Sequence, residues 1–159
     1  MNSLVIYASR TGNTRTIAEA IAKTMRERGA AVEVFEAEHA PGTLPESDLL
    51  FIGGPTERHT LTPPIADFFD HLDAGSLRGR ACVAFDTRMQ WPRFVSGSAA
   101  EEIAKRLKAA DAHVVSAPES FFVRTDPQLG YDLVRGELAR ARTWAIEVAD
   151  EVEAGLTVA

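Results

Sequence analysis

The sequence predicts an α/β protein of the doubly wound class: a three-layer sandwich with a parallel sheet between two layers of helices. Short β-rich runs alternate along the chain with longer stretches of helical period, the pattern of repeated β-α units. The 159 residues, 45% hydrophobic and 25% charged, suit one domain over 1–159, and no linker, repeat or low-complexity tract divides them. At that length roughly 70% of the unfolded chain's surface becomes buried, so a core can form without a disulfide or a structural metal. The single cysteine agrees, because it excludes an internal disulfide.

The apolar run Leu4–Ala8 reads as the first strand. After a Gly/Asn turn, Ile17, Ile21, Ala22 and Met25 recur at helical spacing as far as Gly29. Val32, Val34 and Phe35 give the second strand. Pro41, Gly42 and Pro45 make 39–47 a loop, and Leu49–Ile52 forms a third strand that Gly53-Gly54-Pro55 is expected to end. Pro63 and Pro64 fit the first turn of a helix, where a missing N–H costs nothing, and Ile65, Phe68, Phe69 and Leu72 supply its inward face. The fourth strand is Ala81–Phe85, in which Cys82 reads as a small buried hydrophobe rather than a reactive thiol. Ser98 caps the next helix, with Glu101 placed for a capping box and Ile103 and Leu107 facing inward. Val114–Val115 and Phe121–Val123 bracket a last strand interrupted near Pro118. The closing helix runs from about Val134 to Glu153, with Gly136-Glu137 near its start and Trp144 at a core spacing. Such a sheet binds its ligand outside the carboxyl ends of its strands, and three loops reach that edge: Ser9–Thr14, Pro55–Thr60 and Thr87–Val95.

Ser9-Arg10-Thr11-Gly12-Asn13-Thr14 joins the first strand directly to the first helix. Unpaired backbone N–H groups converge there, and the helix dipole adds about half a positive charge. Ser9, Thr11 and Thr14 add hydroxyl donors, Gly12 permits close approach or a positive φ, and Asn13 tolerates turn conformations. Both Gly-x-Gly-x-x-Gly and a Gly-Lys-Ser/Thr ending are missing, so a monophosphate fits better than a dinucleotide or a triphosphate held in those ways. The plainer alternative is a turn with a helix cap; three hydroxyls around a Gly at this position favour phosphate.

Ser9-x-Thr11-Gly12-Asn13-Thr14 behind an N-terminal strand resembles the FMN phosphate loop of the flavodoxin family, and the resemblance covers nearly the whole chain. It implies a five-stranded parallel sheet of order 2-1-3-4-5 with FMN at the switch point. It also implies that Gly54-Pro55-Thr56 opens a first loop for the isoalloxazine ring, and that the loop after the fourth strand is the second. The ring-side residues are then Pro55, Thr56, Glu57, Arg58 and His59, with Asp86, Thr87, Arg88 and Trp91, while Arg10 belongs to the phosphate loop. Trp91, in the polar, Pro-containing stretch 86–93, is the flat side chain expected against the ring, with core packing as the alternative.

One departure stands out. Flavodoxins resembling this chain carry an aromatic residue and then a Gly soon after Pro-Thr, where Glu57 and Arg58 stand here. The family uses that Gly to turn a backbone carbonyl toward the flavin, which stabilises the one-electron-reduced ring. Arg58 has a Cβ and is expected to resist a positive φ by about 1–2 kcal/mol, so that form should be less stabilised. His59 either stacks on the ring or sits in solvent.

Arg10, Arg15, Arg58, Arg88 and Arg93 against Glu57 and Asp86 give these loops a positive balance on a chain of net charge −6. Such a mouth attracts anions within a screening length of about 8 Å and makes the flavin easier to reduce. The expected partner is a redox protein or a small anionic electron donor or acceptor; an acidic chain is a poor ligand for nucleic acid. Three functions stay open. The first is an FMN electron carrier, in which the ring does the chemistry and no catalytic side chain is needed. The second is an NAD(P)H-dependent FMN or quinone reductase, favoured by the basic mouth. The third is a flavin-free interaction domain of the same fold, suggested by the altered first ring loop. No nucleophile–base pair or metal-ligand spacing appears, and His39, His59, His71 and His113 are scattered. With neither a signal peptide nor an apolar run near the ~20 residues of a membrane span, the expected location is the cytoplasm.

Overall fold

Apolar runs become central strands where both faces of a sheet are covered. In the computed structural model, which describes residues 1–158 and side chains through Gly155, they are β1 (Asn2–Tyr7), β2 (Ala31–Glu36), β3 (Leu49–Pro55) and β4 (Ala81–Met89). Ala159, the last residue of the expected domain, lies outside the described residues. β1, β3 and β4 are buried along nearly their whole length, and β2 alternates and takes the edge beside β1.

The fifth position is split. β5 (His113–Val114) pairs with the start of β4 and, after the break near Pro118, β6 (Glu119–Asp126) pairs with its end, both parallel. The parallel order is therefore 2-1-3-4-5, with the fifth strand in two pieces. Beyond it the sheet gains a strand absent from the sequence reading: β7 (Gly130–Leu133) folds back antiparallel on β6. The Asp126 carboxylate closes that turn by accepting from the N–H groups of Gln128 and Leu129, and the sheet has seven strands where five were expected.

α1 (Asn13–Glu27) lies on one face of the sheet. α2 (Pro63–His71) lies on the other, α3 (Arg93–Ser96) is a single turn after β4, and α4 (Ala99–Ala109) packs beside α2 against that second face. α5 (Glu137–Val158) returns to pack beside α1. It begins later than expected because the Val134 N–H still donates to Phe122 in the sheet, and Gly136 at φ +92° breaks the chain direction just before the first turn.

Side-chain alternation along β4 separates two cores. Val83 and Phe85 face α1 and α5, whereas Cys82 and Ala84 face α2 and α4. Phe51, Phe85, Phe121 and Trp144 meet edge-to-face with ring centroids 5.6–6.4 Å apart, so Trp144 is core as expected. Cys82 is fully buried and its thiol is pushed up to about 12, which makes it inert as a nucleophile.

Two strands run further than the sequence reading allowed. Gly53 and Gly54 continue β3 instead of ending it: a Cβ on Gly53 would lie 2.3 Å from the Phe85 ring, so glycine is there to admit that ring. β4 extends through Asp86, Thr87 and Arg88 to Met89, which places four expected loop residues in a strand and fixes their side chains to alternate faces.

Candidate functional site

Gly12 stands before α1 at φ +93°, a conformation a side chain makes costly. The helix's own bonding begins where the Thr16 N–H donates to the Gly12 carbonyl at 3.0 Å, so the N–H groups of Asn13 and Thr14 have no helical acceptor. Ser9 Oγ accepts from the N–H groups of Gly12 and Arg15 at 3.2 and 3.3 Å. The Asn13 side-chain amide donates to Thr11 Oγ1. Thr14 differs from expectation: its buried hydroxyl is bound to the Thr87 hydroxyl at 2.7 Å, tying the phosphate loop to β4. Ser9, Arg10, Thr11 and Gly12 remain exposed on the crest.

Beside this loop opens a groove of about 470 Å³, within the ~300–1,000 Å³ usual for ligand sites. Arg10 and Thr11 line its phosphate end, Pro55, Thr56, Glu57 and Arg58 one wall, and Thr87, Arg88, Met89 and Trp91 the other. The walls share a root, because the Thr56 N–H donates to the Thr87 carbonyl at 2.9 Å. Val123 and Tyr131 complete the groove. Tyr131 escaped the sequence reading because it stands on β7; its one sign was an aromatic residue after Gly130 in a polar stretch. Trp91 is 52% exposed and Tyr131 46%, so both rings reach the groove's solvent edge.

The first ring loop corrects an expectation. Glu57 and Thr60 exchange backbone hydrogen bonds of 3.0 and 2.9 Å, closing a two-residue hairpin with Arg58 and His59 at its tip. Both tip residues have positive φ, 46° and 71°, as in the primed turns where Asn-Gly is the usual pair. Arg58 therefore takes the backbone form it was expected to resist. The hairpin closure and a bridge between His59 and Gly97 override the cost. Gly97 permits that bridge: a Cβ there would sit 2.5 Å from His59 Cα. His59 itself is exposed and is not among the groove-lining residues.

Asp86, expected in a ring loop, is fully buried in β4 and turned toward α4. Its Oδ2 accepts from Ser98 Oγ at 2.7 Å, the Ala100 N–H at 3.0 Å and Thr56 Oγ1 at 3.1 Å. Ser98 caps α4 as expected by accepting from the Glu101 N–H, but the Glu101 carboxylate turns to Arg93 rather than closing the box. Arg88 is a buried bracket: Nε donates to Ser120 Oγ, Nη1 to the Trp91 carbonyl and Ser96 Oγ, and the guanidinium lies 5.0 Å from the Phe122 ring centroid.

The positive mouth is also corrected. Arg10 pairs with Glu57, Arg15 with Glu19 and Arg93 with Glu101, while Arg88 is buried. Glu19 and Glu101 lie outside the three loops in sequence, on α1 and α4. Among the described residues Arg58 and the buried Arg88, which donates only to neutral acceptors, line the groove without an acidic partner, so the positive balance is reduced but not removed.

A helix N-terminus with outward N–H groups and hydroxyls at the switch point, and an aromatic-edged groove beside it, define a mononucleotide-binding doubly wound α/β protein. The chain belongs to the flavodoxin family: the Flavodoxin family model matches residues 5–115. A flavodoxin from Nitratidesulfovibrio vulgaris is 28% identical over 148 residues, covering 89% of this chain and 97% of that protein. Flavodoxin 2 from Bacillus cereus superposes with a TM-score of 0.76 at 21% identity, over 95% of this chain and 99% of the other. The rubredoxin oxygen:oxidoreductase of Desulfovibrio gigas gives 0.75 at 16% identity, where 98% of this chain matches 37% of the larger one. Flavodoxins are FMN-binding electron-transfer proteins, and FMN is this chain's cofactor. The donor set fits it: neutral amides and hydroxyls solvate a phosphate without a bound cation, and the adjoining groove offers two aromatic rings. Among the described residues no helix is long and apolar enough to cross a membrane.

Proposed function

We propose that this protein is a carrier that passes electrons between protein partners through FMN seated in the Trp91–Tyr131 groove. The amides of Asn13 and Thr14, with Ser9, Thr11 and the Gly12 turn, hold the phosphate; Pro55, the Glu57–Thr60 hairpin, Thr87 and Trp91 flank the ring. Bound FMN supplies one- or two-electron chemistry. The chain's own residues bind and orient it, and Arg10–Glu57 joins the phosphate loop to the first ring loop at 3.0 Å.

The observation that carries the carrier reading is the groove's rim. Trp91 is 52% exposed and Tyr131 46%, and Phe94, at 87%, stands on the turn that follows Trp91. An open aromatic edge suits brief contact with a partner better than a closed chamber for substrate. The reductase reading is weakened, since it rested on a basic mouth in which Arg10, Arg15 and Arg93 are paired with acids. A redox protein, met in the cytoplasm, is the partner this surface suits. The test is NADPH oxidation by the purified holoprotein alone: the expected rate is indistinguishable from free FMN, and steady turnover well above it would overturn the carrier reading.

A further inference from the structure

Asp86 does not line the groove, yet its carboxylate is set into the sheet directly behind it. Its neighbour Thr87 and its hydrogen-bond partner Thr56 both line that groove, and across the ladder it pairs with Gly54 and Ser120. The carboxyl is fully buried, and no ion pair reaches it among the described residues. Oδ2 accepts three hydrogen bonds, whereas Oδ1, equally buried, accepts none. A proton on Oδ1 would therefore disturb no existing bond.

The charged groups around it are occupied elsewhere. Arg88, two residues on and on the same face, turns its guanidinium to Ser120, Ser96 and the Trp91 carbonyl. Glu119 on β6 pairs with Arg140, Glu101 on α4 with Arg93, Glu102 with Lys105, and Glu57 in the ring loop with Arg10. Burial is the largest influence on the carboxyl and raises its affinity for a proton above the ordinary value near 3.8. The Ala100 N–H and the hydroxyls of Ser98, Ser120 and Thr56 pull the other way, Ser120 from outside bonding geometry.

We propose that Asp86 is a redox-linked proton site: it takes up a proton on Oδ1 when negative charge enters the groove, and releases it when that charge leaves. The step balances simply. A low-potential one-electron donor loses an electron to the cofactor, a proton passes from solvent to the Asp86 carboxylate, and the carboxyl itself is neither oxidised nor reduced. Reoxidation by the partner reverses both transfers. Asp86 touches neither the groove nor a partner; it acts through charge and through Thr56, as a positioning residue. The inference rests on FMN binding in the groove.

The test is a dithionite redox titration of holoprotein across pH, comparing wild type with Asp86→Asn, with FMN uptake by the apoproteins measured separately. Wild type and variant should share one potential at acid pH and diverge as pH rises, wild type becoming the harder to reduce. The divergence should approach a tenfold change in the reduction equilibrium per pH unit, about 59 mV, while the flavin's own titrations appear in both. Parallel curves at every pH, with FMN bound to both proteins, would overturn the proton site and leave the cofactor reading intact; failure of wild type to bind FMN would sink the cofactor reading. Should Asp86→Asn not fold, Ser98→Ala keeps the carboxylate and removes one donor, so the bend in the wild-type curve should move to higher pH; an unmoved bend is equally fatal.

Discussion

Gly97→Ala is expected to weaken FMN binding roughly ten- to hundredfold, the equivalent of about 1–3 kcal/mol of overpacking. The added methyl would meet the His59 backbone at 2.5 Å, and backbone cannot rotate away as a long side chain can. The Arg58–His59 tip, already at positive φ in two residues with a Cβ, would lose the bridge that holds it. The loss should fall on the ring side. Apoprotein fluorescence titrations with FMN and with riboflavin should weaken by the same factor, leaving their ratio unchanged. Unaltered affinity for both would mean that the hairpin owes nothing to Gly97.

The second large effect is expected from Arg88→Met, which keeps the stem and removes the planar fork. Ser120 Oγ, the Trp91 carbonyl and Ser96 Oγ each lose a charge-assisted bond in a site only 7% exposed, and the cost should be about 2–4 kcal/mol in denaturant unfolding of the apoprotein. Arg88→Lys should recover little, since one ammonium cannot span the three acceptors in a fixed plane. FMN affinity should fall as well, because the Trp91 backbone is no longer held. Stability within about 0.5 kcal/mol of wild type would show that the bracket is dispensable.

Much of this architecture was legible in the residues. The runs at Leu4, Leu49 and Ala81 are too apolar for anything but central strands, and Gly12 between strand and helix marks a turn that side chains avoid. What was not legible depended on distance in sequence. Gly53 and Gly54 looked like a strand end because their reason, the Phe85 ring, lies on another strand. Asp86 looked like a loop acid because its partners Ser98, Ala100 and Thr56 come from elsewhere in the chain. The arginines looked unbalanced because the acids that meet Arg15 and Arg93 lie on the helices that follow. Arg58 shows the limit of local propensity: a hairpin closed by Glu57 and Thr60 and seated on Gly97 outweighs the preference of one residue. Tyr131 required a hairpin whose short strand leaves almost no periodic trace.

The most direct measurement is equilibrium dialysis of the folded apoprotein against FMN and, separately, against riboflavin, which differ only in the phosphate. If the amides of Asn13 and Thr14 and the hydroxyls around Gly12 hold that group, FMN should bind at least about a hundredfold more tightly, since hydrogen bonds to a charged group are worth about 1.5–3 kcal/mol each. Inorganic phosphate should compete with FMN and leave riboflavin uptake unchanged. Equal affinity for the two flavins, or no uptake of either, would contradict a phosphate site at the head of α1.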